Sequence, residues 1–177
     1  MGIRVQLCQS MREVKEIRTE VRSTIARIDE LVAKIELLIE KQLDGDEDRA
    51  RLAAIKGIGP VVSAALVCDL KYRQFRRADS FVAYYGLDPR ANDSGKCRGK
   101  RRISKRGQRL GRTLLYNAAM TAVRSKAWKP IYEKLLAKGL SKIQAIVCIA
   151  RKLARTAWSI YTHKTTFDPA RLCRHLT

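Results

Sequence analysis

Residues 52–68 read LAAIKGIGPVVSAALVC. An apolar run from Leu52 to Ile55 meets Gly57-Ile58-Gly59, and Pro60 then opens a stretch of small apolar residues. Two glycines permit a tight turn with positive φ. A proline is tolerated at a first helical position, where its missing N–H would be unpaired anyway. The pattern predicts a helix-hairpin-helix. Its turn, at Gly57, Ile58 and Gly59, would offer backbone N–H groups at a helix N-terminus, which suits a phosphate and ignores the bases. The alternative is a plain helix turn whose glycines serve packing. Gly57–Cys68 is also the longest run without a charge, at 12 residues. A membrane span needs roughly 18, so no membrane partner is expected.

Towards the C-terminus the pattern stays helical with one interruption. Ser80–Leu87 reads as a short helix closed by Gly86. Phe75, Phe81 and Tyr84 read as core residues in preference to base-stacking platforms. Leu110–Val123, Ile131–Ala137 and Lys142–His163 carry apolar residues at helical spacing. Pro130 starts the second of these and Ser141 caps the third. The tail, 165–177, is expected to fray.

The interruption is Asp88–Arg112, DPRANDSGKCRGKRRISKRGQRLGR, with 10 Lys/Arg against 2 Asp in 25 residues. Apolar residues are almost absent before Ile103. A loop or short hairpin is expected, because such a density of charge cannot be buried unpaired. It can neutralise several phosphates and make binding steeply dependent on salt. The alternative, a solvated basic tail, fits poorly with a segment set between two apolar helices.

Towards the N-terminus, Ser10–Leu43 contains no Gly or Pro and reads as one long helix. With Val14, Val21, Ile28, Ile35 and Gln42 at heptad position a, Ile17, Thr24, Leu31 and Leu38 fall at d. Seven of these nine seam positions are apolar, which is coiled-coil spacing. Ile25, Val32 and Ile39 widen the stripe. The helix either self-associates or docks on its own domain. The polar stretch Asp44–Asp48 marks a boundary, and the charge changes across it. Residues 1–48 hold 8 Lys/Arg and 11 Asp/Glu, whereas residues 49–177 hold 29 Lys/Arg and 6 Asp/Glu. The expected organisation is a coiled-coil helix over 1–48, a helical domain over 49–163 and a tail over 164–177. The fold class is all-α: a long N-terminal coiled-coil helix, then a compact helical domain with a helix-hairpin-helix and a basic loop.

The whole chain has 177 residues and a formal net charge of +20. That balance implies a polyanionic partner, most simply nucleic acid. The five cysteines include no CxxC pair and there are only two histidines, His163 and His175. Neither a disulfide framework nor a zinc site is expected. With no apolar leader at the N-terminus, the expected location is the cytoplasm, in association with the nucleoid.

The order of these features is more specific than any one of them. LAAIKGIGPVVSAALV is followed by FRRADSFVAYYGLDPRANDSGKCRGKRRISKRGQRLGRTLLYNAAMTA and then by KGLSKIQAIVCIARKLARTAW. Over about residues 50–162 this resembles the C-terminal transposase domain of the Piv/MooV-type insertion-sequence transposases, the bridge-RNA-guided serine recombinases. The matching elements are the GIG turn, the stretch from Phe75 to Leu87 with its GL-x-P ending, the Ser94-Gly95 pair, Ile103-Ser104-Lys105-x-Gly107 and the final Ala-Arg-Lys-Leu helix. The preceding helix is similar to the family's coiled coil.

The resemblance places the family's catalytic serine on Ser94. A serine hydroxyl is a weak nucleophile unless its surroundings activate it. Lys96, Arg98, Lys100, Arg101 and Arg102 around it can bind a scissile phosphate and stabilise developing charge. Lys105, Arg106 and Arg109 extend the basic surface for DNA. Ser104 is the competing serine, and it equally suits a cap for the helix that follows. The resemblance also implies an N-terminal RuvC-like domain whose acidic residues hold divalent metal. No such domain is expected in this chain, so no cofactor or metal site is expected either. The functional expectation is a DNA-binding, serine-bearing transposase domain acting in DNA transposition and recombination. Its partners would be DNA, guide RNA as the resemblance implies, and either a second copy or a full-length transposase. The alternative is a non-catalytic nucleic-acid-binding module or regulator.

Overall fold

The computed structural model describes residues 18–42, 45–90 and 102–173. The chain forms two compact units, Met1–Asp44 and Gly45–Thr177. The described part of the first is helix α1, Arg18–Gln42. Glu30 and Lys34 pair one turn apart on its surface at 2.7 Å. The seam residues Leu31, Ile35 and Leu38 are exposed, at 58%, 55% and 58%. Residues 10–17 of the predicted helix lie outside the described residues.

The second unit is a packed bundle of helices. In order it contains α2 (Glu47–Ala53), α3 (Pro60–Tyr72), α4 (Ala78–Tyr84), a two-stranded ribbon of β1 (Pro89–Arg90) and β2 (Arg102–Ile103), α5 (Arg109–Ala122), α6 (Lys129–Ala137) and α7 (Lys142–His163). Each boundary has a local cause. Asp46 caps α2, its carboxylate accepting from the N–H groups of Asp48 and Arg49 at 3.0 and 3.3 Å. Pro60 opens α3 behind the extended Gly59. Gly86 follows α4 with φ +64, a left-handed conformation that only glycine adopts without strain. Ser141 starts α7 with a full capping box, exchanging hydrogen bonds with Gln144.

Helix α7 is the centre of the bundle and packs against α2, α3, α4, α5 and α6. Its inward face, Ala145, Ile149, Ala150, Leu153, Ala154, Ala157 and Ile160, is buried. The recurring alanines let neighbouring helices approach, while Ile149 and Leu153 fill the spaces between. Around it stand Leu52, Ile55, Leu66, Phe81, Tyr85, Leu115 and Trp128. Phe81 is fully buried and Phe75 and Tyr84 pack against the core, with Phe75 meeting Phe81 edge to face and Tyr84 at a tilt inside the fold. The Trp158 indole N–H donates to the Phe75 carbonyl at 3.1 Å and anchors the segment between α3 and α4.

The tail differs from the expectation. Up to Cys173 it does not fray: Pro169–Cys173 forms a 3-10 turn. Leu172 is only 8% exposed and Phe167 packs on the core. These two apolar side chains recover enough buried surface to hold the segment. Residues 174–177 lie outside the described residues.

Candidate nucleic-acid interface

The described ends of the basic segment pair as the ribbon, which forms a neck. Pro89 pairs with Ile103 and Arg90 with Arg102 in antiparallel register. Ser94, Lys96, Arg98, Lys100 and Arg101 fall between the two strands in sequence and lie outside the described residues. Arg102, Lys105, Arg106 and Arg109 stand at or just after it, and all four are exposed.

The neck is held by three sets of contacts. First, the Ser104 N–H donates to the Asp88 carbonyl at 2.9 Å, and the Ser104 hydroxyl donates to the Asp88 carboxylate. Second, the backbone of 104–108 docks on the end of α4. Lys105 N–H donates to Gly86 O at 3.0 Å and Gln108 N–H to Tyr84 O at 2.8 Å. Gly107 lies so close that an added Cβ would fall on the Tyr84 carbonyl and the Gly86 nitrogen. Third, the Arg112 guanidinium reaches back from α5 to the carbonyls of Tyr85, Lys105 and Gly107 at 3.0, 3.4 and 3.4 Å. It thereby ties both sides of the neck to the helix. Lys105 takes a left-handed φ of +55 in this turn, a conformation uncommon outside glycine.

Beneath the neck, Asp69 of α3 accepts hydrogen bonds from Tyr84 at 3.1 Å and Tyr85 at 2.8 Å. Burial pushes the Tyr85 phenol far above its ordinary range, and the Asp69 carboxylate pushes it further in the same direction. Tyr84 is raised for the same reasons, burial first, against the opposing pull of Arg73. Arg73 stacks on the Tyr84 ring, 4.8 Å from its centroid. These tyrosines are therefore neutral supports. Burial likewise raises the Cys148 thiol, which makes it a poor nucleophile.

The other predicted contact, the turn between α2 and α3, divides by residue. Gly57 has φ +104, and a Cβ there would lie 2.8 Å from the Ala118 carbonyl of α5. Its glycine is accounted for by this close approach. Ile58 is 4% exposed, and its N–H already donates to the Ile55 carbonyl at 2.9 Å. Gly59 is exposed, with open space around it. Lys56 beside them is also exposed.

Asp88, Arg112 and the Gly86–Gly107 approach were not singled out by the sequence reading. The only signal was the density of glycines and arginines, since their partners lie far along the chain. Among the described residues, no three His, Cys, Asp or Glu side chains gather as metal ligands. No described helix is long and apolar enough to cross a membrane.

A helical domain with an arginine-rich ribbon defines a class of protein suited to a polyanion. Comparison with known proteins narrows that class. Residues 49–133 match the model of the transposase IS116/IS110/IS902 family. The chain is 33% identical over 161 residues to a probable family 20 transposase of Pseudomonas aeruginosa, covering 88% of this chain and 46% of that protein. It is 33% identical over 129 residues to the IS116 uncharacterized 44.8 kDa protein of Streptomyces clavuligerus, covering 70% and 32%. With the transposase for insertion sequence element IS1111A of Coxiella burnetii it shares 28% identity over 144 residues, covering 78% and 40%. The chain is a distant homologue of the IS110/IS902-type transposases. It spans less than half the length of these curated relatives.

Proposed function

We propose that the chain is the DNA-binding, serine-bearing part of an insertion-sequence transposase. The observation that carries this reading is the ribbon. A segment with 10 Lys/Arg in 25 residues has its two described ends paired and tied to the bundle. The neck keeps the flanking cations Arg102, Lys105, Arg106 and Arg109 outward, where they meet phosphates. Exposed Gly59 and Lys56 supply a second contact in the manner of a helix-hairpin-helix, with Ile58 serving the core.

Ser94 is the proposed nucleophile. Its Oγ forms a bond to the scissile phosphorus and gives up its proton. The bond from phosphorus to the departing sugar oxygen breaks, and that oxygen takes a proton. The phosphoserine bond keeps the energy needed for rejoining, and no redox partner is required. Lys96, Arg98, Lys100 and Arg101 would balance the charge that develops on the phosphoryl oxygens. Ser104 is committed to Asp88 at the neck, which favours Ser94 for this role. The chemistry of the longer relatives, and a guide RNA as second polyanion, enter on the same footing.

The exposed seam of α1 supports association through a coiled coil, with a second copy or with a longer transposase. The proposed divisions are a coiled-coil helix over 1–48, the DNA-binding domain over 49–163 and a tail over 164–177.

The test is a denaturing gel with labelled element-end duplex, using the chain alone and mixed with a full-length relative. A covalent adduct of this chain that disappears in Ser94→Ala and persists in Ser104→Ala is expected. An adduct that survives Ser94→Ala would move the nucleophile elsewhere. Binding without any adduct would leave the non-catalytic binding module.

A further inference from the structure

Helix α5 has two sharply different sides. Gly111, Leu115, Ala118, Ala119 and Ala122 are buried. Opposite them, Leu110, Thr113, Asn117 and Thr121 follow one another at spacings of three and four residues, so they share one outward stripe. Leu110 is 66% exposed, Thr113 and Thr121 are exposed, and Asn117 is half-buried at the centre. The hydroxyls of Thr113 and Thr121 are turned back to the carbonyls of Arg109 and Asn117, at 3.1 and 3.3 Å. Their methyl groups are left as the outer surface. Among the described residues, the Asn117 side-chain amide has no hydrogen-bond partner. The stripe is therefore uncharged, methyl-bearing and centred on one amide.

Its two ends are cationic. Arg102, Lys105 and Arg106 precede the N-terminus, Arg109 opens the helix, and Arg124 and Lys126 follow the C-terminus, all exposed. No acidic residue occurs between Ser94 and Tyr132. Cations at a helix N-terminus oppose its dipole and weaken the helix. No acidic residue in the first turn of α5 offsets them. The N-terminal cations therefore do not serve the helix itself, whereas Arg124 and Lys126 suit its C-terminal end; cations at both ends match a polyanion lying along it.

We propose that the outer stripe of α5 enters the major groove of B-form DNA, with the cations at its two ends on the flanking phosphates and Asn117 on a base edge. The inference rests on the DNA-binding reading above and adds where and how the duplex is read. From Arg109 to Thr121 the helix rises about 18 Å, roughly five base-pair steps. The major groove of B-DNA admits an α-helix, whereas that of A-form RNA is too narrow. An asparagine amide can pair with the N6 and N7 of adenine, and the threonine methyl groups suit the thymine methyl.

The full chain can be tested by selection from a random-sequence duplex pool, followed by affinities for the selected duplex and a scrambled one. Asn117→Ala is expected to reduce the ratio of those affinities about tenfold, with the salt slope unchanged because no phosphate contact is lost. Thr113→Ala, at an exposed position, guards against a folding defect; it should reduce the ratio by a smaller factor. Methylation of guanine N7 in the selected site should interfere with binding. Duplex binding without a sequence preference, a ratio unchanged in both variants, or a preference for duplex RNA would overturn this inference alone. Failure of the wild-type chain to bind any duplex would overturn the DNA-binding reading as well.

Discussion

Replacing Arg112 by methionine isolates what holds the basic ribbon in place. The side chain keeps an unbranched apolar stem that ends about where the arginine Nε stood, and it loses every donor. Three carbonyl contacts go with them, one short at 3.0 Å and two long at 3.4 Å. A hydrogen bond from a charged donor contributes about 1.5–3 kcal/mol. The two long contacts share the same nitrogen and add little, and the site is only partly buried, so water can reach some of the abandoned carbonyls. The expected loss is about 2 kcal/mol. With a urea m-value of about 2 kcal/mol/M, the unfolding midpoint should fall by about 1 M. Hydrogen exchange locates the effect. The amides of Lys105 and Gln108, which bond to Gly86 and Tyr84, should exchange faster at urea concentrations where the α7 amides remain protected. An unchanged midpoint with unchanged exchange at these two amides would refute Arg112 as the clasp.

Three further outcomes follow from particular contacts. Gly107→Ala drives a Cβ into the backbone of Tyr84 and Gly86 and should cost about 3 kcal/mol or more, whereas Gly59→Ala meets open space and should stay within about 0.5 kcal/mol; thermal melts of the pair check both. Ser141→Ala removes the cap of the central helix and should cost about 1 kcal/mol by urea titration. Asp46 has a pH signature: burial alone would raise its carboxyl, but the Lys71 ammonium and the backbone N–H groups of Arg49 and Asp48 outweigh burial and hold it below its ordinary value. A depressed carboxyl contributes stability above the unfolded-state pKa and loses it as pH falls through the folded one. The stability gap between wild type and Asp46→Asn should therefore be full at neutral pH and close in the acid range; a gap constant down to pH 3 would contradict the assignment.

What the sequence made legible was local. Lys142–His163 matches the predicted helix because Ser141, the apolar stripe and the helix end are all written in adjacent residues. Pro60 and Gly86 act where their own backbone preferences put them. The basic segment was expected as a loop or short hairpin, and its described ends pair as a ribbon. The rest depends on distant partners. Gly57 was read for its φ, yet its second reason is the approach of α5. Arg112 looks like one more cation in a basic run, and only the fold brings three carbonyls to it. Asp88 and Ser104 are 16 residues apart and meet across the neck. Leu172 and Phe167 sat in a polar tail, where two isolated apolar residues gave no period to detect. The ribbon's candidate residues from Ser94 to Arg101 lie outside the described residues, so their roles stand on chemistry and on the likeness to transposases.

The most direct measurement of the central claim is the salt dependence of duplex affinity for the wild-type chain and for the triple variant Arg102→Ala, Arg106→Ala, Arg109→Ala. Each phosphate contact contributes about 0.9 to the slope of log K against log salt. If these arginines at the neck bind phosphates, the slope should become shallower by about 3 and affinity should fall on every sequence. A wild-type slope retained in the triple variant would contradict the account, and would place the DNA on some other surface of the bundle.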